Sequence, residues 1–299
     1  MSGASNSVFE SSISLPDTHI DRRASALLGF DTRYARVSKQ LELMLKSSEL
    51  DAWSEKHHNR KLKVVELLGD QYPLAIFHGD VGTGKTASAE AIANRLARES
   101  GIEDCLLYKL SNRVRGTGKV GEMGSLISSA FAEITSGLGK RRRAFLVIDE
   151  GDSLGASRSQ EHSHHEDKVG VNTLIQAIDD LRKHGGRVFT ILCTNRLGAL
   201  DAAVLRRASI IEEFERPTDE ERRELFFQDL GDLKPTATEL ASLVKATAAS
   251  DDQPRWTYSD IRTRLYPAAV SVAFPQEPLK ISHFITALKN LKPSPVMPG

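Results

Sequence analysis

The octapeptide GDVGTGKT, from Gly79 to Thr86, limits what this chain can fold into more than any other stretch. Its spacing is G-x-x-x-x-G-K-[ST], the pattern of a loop that cradles phosphate. Gly79, Gly82 and Gly84 have no Cβ, so the backbone can curl and aim its N–H groups inward. Asp80, Val81 and Thr83 complete the cradle between them. Lys85 supplies a positive charge for the β- and γ-phosphates, and Thr86 supplies a hydroxyl for Mg²⁺. Such a loop belongs between a buried strand and the N-terminus of a helix, where the backbone favours anions. The flanks agree: LAIFH (Leu74 to His78) reads as a buried strand, and Ala87 to Ala97 has apolar residues at helical spacing.

From Leu74 onward strand-like and helical runs alternate. The strand-like runs are Leu74 to His78, Cys105 to Leu110, Ala144 to Asp149, Arg187 to Asn195 and Ser209 to Phe214. Continuous apolar strands alternating with helices predict an α/β fold, a five-stranded parallel sheet covered on both faces. After Pro217 the strands stop and only helical patterns follow. The expected division is a flexible arm over 1–20, rich in Ser and small polar residues, a large α/β domain over 21–216, and a small helical lid over 217–299. Ahead of the loop, a broken helical stretch places Tyr34, Val37, Leu41 and Met44 on one face.

Lysine plus arginine and aspartate plus glutamate both number 40, so the balance demands neither nucleic acid nor an acidic membrane surface. The basic run Lys140 to Arg143 reads as a solvated helix end or loop. Cys105 and Cys193 lie in apolar runs without CxxC spacing, as buried thiols do in a reducing compartment. The N-terminus lacks the pattern of a signal peptide, and no apolar run has the length of a membrane span. The expected location is the cytoplasm.

Three further elements form a constellation with the loop. In FLVIDEGDSL the apolar run ends in Asp149-Glu150, at the end of a strand where α/β sheets bind ligands. Asp149 can hold Mg²⁺, and Glu150 can orient and polarise an attacking water. In TILCTNR, Asn195 ends a buried strand expected between the loop strand and the acidic strand, beside the γ-phosphate. In LDAAVLRRASI, Arg206 and Arg207 precede the last strand. In a ring either could reach the γ-phosphate of a neighbouring subunit and stabilise transition-state charge. Adjacent side chains do not point the same way, so one of the two is expected to be structural, and the sequence leaves open which.

These elements, in this order and followed by a helical lid, resemble the AAA+ ATPases. The resemblance implies ATP and Mg²⁺ as cofactors, a homo-hexameric ring with ATP between subunits, and pore loops that pull on a protein substrate. KVGEMGSLISSAF (from Lys119), IDEGDSLGASR (from Ile148), VNTLIQAIDDLRKH (from Val171) and LDAAVLRRASI are more specifically similar to the thyroid-receptor-interactor and pachytene-checkpoint group, which partly unfolds HORMA-domain proteins. Lys119, Val120 and Gly121 then fall in the first pore loop, with Gly118, Gly121 and Gly124 expected to let it move. The pore position that is usually aromatic is Lys119, followed by Val120. Arg207 matches the group's arginine pattern, whereas the position three residues after Arg206 that often carries a second arginine is Ser209. The stretch before the loop leaves no room for an adaptor-binding domain, as in the short bacterial form found with cyclic-oligonucleotide anti-phage signalling. There the implied task is to remove a HORMA protein from a nucleotidyltransferase.

In the lid stretch WTYSDIRTRLYP (from Trp256), Arg262 or Arg264 is placed to touch phosphate, or Ser259 and Asp260 to lie near adenine. Gly29, in ALLGFD, would let backbone approach adenine. His162, His164 and His165 lack metal-ligand spacing and read as a polar loop. The competing function is an AAA+ loader or helicase-type ATPase acting on nucleic acid or its clamps. Zero net charge and the absence of an arginine-aromatic groove weigh against it.

Overall fold

The computed structural model describes residues 8–111, 122–139, 141–154 and 165–297. In chain order it contains β1 (Phe9–Leu15), α1 (Thr18–Ala24), α2 (Phe30–Leu45), α3 (Ser47–His58), α4 (Lys63–Gly69), β2 (Leu74–His78), α5 (Lys85–Glu99), β3 (Cys105–Leu110), α6 (Glu122–Ser136) and β4 (Arg143–Ile148). It continues with α7 (His165–Leu181), β5 (Val188–Thr194), α8 (Ala202–Leu205), β6 (Ile210–Glu213), α9 (Asp219–Leu230), α10 (Ala237–Ala246), α11 (Tyr266–Ala273) and α12 (Ile281–Leu288).

The strands form one sheet in the order β1-β3-β4-β5-β2-β6. The five expected strands run parallel, and β5 lies between β2 and β4. The sheet has a sixth strand, which corrects the expected five-stranded count. Residues 9–15, assigned from sequence to a flexible arm, pair antiparallel with β3 as the edge strand β1. FESSISL alternates, with Phe9 and Leu15 buried and its serines mostly outward. A serine-rich composition hides this period-2 pattern, which is that of an edge strand with one wet face.

Both faces of the sheet are covered. On one, α1, α2 and α5 pack Ile20, Tyr34, Val37, Leu41, Ile92 and Leu96 against Phe77, Phe145 and Phe189. On the other, α6 and α7 pack Ile127, Phe131, Leu174 and Ile178 against Ile76, Leu146 and Leu192. Burial of each such side chain contributes about 1.5–3 kcal/mol, which fixes the strand ends that carry the polar loops. Gly124 lies in α6, where a Cβ would stand 3.0 Å from Thr173 Oγ1 of α7. It is a close-packing position rather than the loop hinge expected of it.

From Pro217 on, α9 to α12 enclose a core of their own around Leu225, Phe226, Trp256, Ile261, Leu265 and Phe284, which Leu28 joins from the other side. Thr218 and Thr236 start α9 and α10 with reciprocal capping boxes to Glu221 and Glu239. Residues 260–265 form a wide π-helical turn leading directly into α11. No helix among the described residues is long and apolar enough to cross a membrane. Arg142 pairs with Asp104 and Arg143 donates to the Leu45 carbonyl, so these two members of the basic run are held by the chain itself. Cys105 and Cys193 are buried free thiols, and burial pushes the Cys105 thiol up to about 12.

Candidate nucleotide-binding site

Parallel strands deliver their C-terminal ends to one edge of a sheet, where a ligand can bridge the loops of neighbouring strands. Here three adjacent strands do so. β2 runs into Gly79, β4 into Asp149-Glu150 and β5 into Asn195, with His78 level with Thr194 and Ile148 level with Leu192.

The loop after β2 holds a conformation that requires glycine. Gly79, Gly82 and Gly84 have φ values of 142°, 79° and 91°. A Cβ on Gly79 would stand 2.2 Å from the Phe214 carbonyl oxygen, so both space and backbone exclude a side chain there. Lys85 starts α5 and is 6% exposed. Its ammonium donates to the carbonyls of Gly79 and Asp80, both at 2.8 Å, so the charge is held over the loop. Burial lowers its pKa from the ordinary lysine value. Thr83 Oγ1 donates to the Asp80 carbonyl at 2.9 Å, bracing the loop from within.

Thr86 Oγ1 donates to Asp149 Oδ2 at 2.9 Å. A hydroxyl beside a carboxylate is an all-oxygen donor pair of the kind Mg²⁺ takes. Asp149 Oδ1 accepts from the N–H of Glu150 at 2.8 Å. Glu150 is exposed, with φ 50° and ψ 45°, a left-handed conformation that a β-carbon disfavours. Such strain concentrates at functional sites, where the surrounding structure holds a side chain in a set direction. Gly151 explains how the turn fits, since a Cβ there would stand 2.3 Å from Leu192 Cδ2 of β5. Thr194 Oγ1 donates to Asp152 Oδ1 at 3.1 Å, tying the ends of β5 and β4 together. Asn195 lines a cleft of about 710 Å³ with Gly79, Asp80, Arg216, Val296 and Met297.

The two sequence-adjacent arginines part company. Arg207 makes a two-pronged contact with Asp179 of α7, at 2.5 and 2.8 Å, and donates to the Ala203 carbonyl. The Asp179 bond raises its pKa. Arg206 is exposed; its N–H caps α8 on the Ala202 carbonyl, and its side chain has no hydrogen bond or ion pair among the described residues.

Lid residues reach the loop differently from the sequence expectation. Arg262 binds Asp229 with two nitrogens and donates to the Ala26 carbonyl at 2.9 Å. Arg264 faces Asp260 at 3.3 Å. Ser259 lies at the phosphate loop, its N–H donating to the Gly82 carbonyl at 3.2 Å. Asp260 is buried and accepts from Thr257 and Ser294. Gly29, at φ 67°, starts α2, and the nearby Leu27 side chain stands 3.9 Å from where a Gly84 Cβ would be. Sequence reasoning missed Arg216, a buried arginine bonded to Asp80 at 2.5 Å. Its only sequence signal is its place at the strand-to-lid junction. The residues expected in the first pore loop, Gly118, Lys119, Val120 and Gly121, and the histidines 162 and 164 lie outside the described residues.

Comparison with known proteins agrees with this geometry. Residues 75–216 match the model of the ATPase family associated with various cellular activities (AAA). CD-NTase-associated protein 6 of Escherichia coli (strain KTE188) is 58% identical over 98% of both chains. Among solved structures, a chain of the E. coli MS115-1 HORMA:CdnC:Trip13 complex superposes with a TM-score of 0.88 and 36% identity, covering 97% of each chain. Rhizobiales Trip13 superposes with a TM-score of 0.71 and 32% identity, over 96% of this chain and 99% of that one.

Proposed function

The chain belongs to the AAA ATPase family, in the branch of Trip13 and CD-NTase-associated protein 6, and we propose that it uses ATP to dismantle a HORMA-protein complex with a signalling nucleotidyltransferase. The observation that carries this reading is likeness over nearly the whole chain, lid included, to a protein solved together with HORMA and CdnC. Such dismantling would limit anti-phage signalling.

The residues support the following division of work. The loop 79–84 cradles the phosphates of ATP with its N–H groups, and Lys85 neutralises the β- and γ-phosphates. Thr86 and Asp149 would hold Mg²⁺, which when bound offsets phosphate charge. Glu150, aimed by its strained backbone, orients the attacking water and draws on its proton. Asn195 positions that water at the γ-phosphate. Arg206 serves the neighbouring subunit of a hexameric ring, because Arg207 is committed to Asp179 within its own chain. Lys119, Val120 and Gly121 grip the substrate in the pore, with the aliphatic parts of Lys119 and Val120 as the contact.

The chemistry is tested by Glu150→Gln. The variant should bind ATP as the wild type does and release phosphate at least a hundredfold more slowly. Release at the wild-type rate would sink the assignment.

A further inference from the structure

A loop built to bind polyphosphate gains nothing from a carboxylate of its own, because like charges repel. Yet its second residue is Asp80. The structure shows how that charge is masked. Asp80 Oδ2 accepts from Arg216 Nε at 2.5 Å, and Oδ1 accepts from the N–H of Met297 at 2.9 Å. The side chains are 15% and 8% exposed, so the pair is shielded from screening by salt and water. Arg216 also donates to the carbonyls of Arg255, Ser294 and Pro295. Ser294 is held in turn by Asp260, through its N–H and through its hydroxyl at 2.6 Å. On its other side Asp80 presents its backbone carbonyl to Lys85. One residue therefore links the phosphate-neutralising lysine to an arginine between sheet and lid, and to a strap of chain, 294–297, laid along the lid.

We propose that Arg216 is a positioning residue for nucleotide binding: it neutralises Asp80 and ties the phosphate loop to the lid through the strap 294–297. This rests on the loop being the ATP site and adds a requirement to it. Without Arg216, Asp80 would stand as an uncompensated negative charge beside the phosphates. With Asp80 neutral as well, little would be left to repel them. The relation between the two residues is therefore strongly non-additive, which distinguishes masking of charge from general support of the fold.

The experiment is ADP binding by titration calorimetry on Arg216→Gln, Asp80→Asn, the two combined, and Arg216→Lys. Arg216→Gln should weaken ADP about tenfold, as an unmasked charge at this range would. The Asp80→Asn background should reduce the cost of Arg216→Gln to under twofold, and Arg216→Lys should stay within about threefold of wild type. If Arg216→Gln does not fold, Arg216→Lys and the double variant carry the test. Wild-type affinity in Arg216→Gln, an equal loss in both Asp80 backgrounds, or a lysine as poor as glutamine would overturn the proposal. Lys85→Ala serves as reference. If it binds ADP normally, the loop is not the site at all. If it does not bind and Arg216→Gln binds ADP as tightly as the wild type, only the masking role falls.

Discussion

Replacing Arg206 and Arg207 one at a time separates a structural arginine from a catalytic one. Arg207 is 11% exposed and contacts Asp179 through two nitrogens, while Asp179 is 30% exposed. Its guanidinium also lies 5.3 Å from the centre of the Tyr72 ring. Hydrogen bonds between charged groups contribute about 1.5–3 kcal/mol, and the partial exposure of Asp179 discounts this towards surface-pair values. Arg207→Ala should therefore cost about 1–2 kcal/mol, a fall in Tm of roughly 2–6 °C for a domain of this size. The Arg206 side chain has no partner among the described residues, so Arg206→Ala should leave Tm within about 1 °C. If Arg206 completes a neighbour's site, its loss should reduce hydrolysis about a thousandfold. Thermal melting by circular dichroism reads the first effect, and phosphate release at a concentration where the wild type forms rings reads the second. Mixing Arg206→Ala with Lys85→Ala subunits should restore part of the activity, since each variant supplies the half-site that the other lacks. Full hydrolysis by Arg206→Ala, or lost hydrolysis with unchanged melting in Arg207→Ala, would refute the assignment.

Lys85→Ala should abolish nucleotide binding, measured by titration calorimetry, because the phosphates lose a buried counter-charge. Gly79→Ala should destabilise the fold by about 2–4 kcal/mol in chemical denaturation, since its Cβ would overlap the Phe214 carbonyl at a φ that alanine disfavours. Burial lowers the pKa of His78 against the opposing pull of Glu213 and Glu212. Its neutral form is thus favoured by folding. The stabilisation is complete above the unfolded value of about 6.5 and is lost as pH falls from there towards the lower folded value. His78→Gln should flatten the fall in stability between pH 7 and 5, and an unchanged slope would exclude His78 as a contributor.

The large domain was legible because its signals are local and mutually consistent. The loop glycines, the apolar runs of β2, β4 and β5, and the polar residues at their ends each follow from backbone geometry. Strand β1 was not legible, because short alternation among serines looks like disorder until β3 supplies its partner. The separation of Arg206 from Arg207 depends on Asp179, 28 residues away in sequence and placed by the packing of α7. Arg216 depends on a strap nearly 80 residues downstream, which no local pattern connects to Asp80. The choice between Arg262 and Arg264 as a phosphate contact is likewise open in the sequence, because the pairing of Arg262 with Asp229, 33 residues away, is not visible there.

The central claim is that hydrolysis at the loop drives dismantling of a HORMA–nucleotidyltransferase complex through the pore. It is tested most directly by incubating that complex with the ring and ATP, and following the bound nucleotidyltransferase by gel filtration alongside phosphate release. Wild-type protein should empty the complex peak with ATP and leave it intact with a non-hydrolysable analogue. Val120→Asp should hydrolyse ATP within about twofold of wild type while leaving the complex intact, because Val120 is proposed to grip the substrate and is not among the residues proposed to hold the nucleotide. Dismantling at full speed by Val120→Asp, or by wild type with the analogue, would contradict the account.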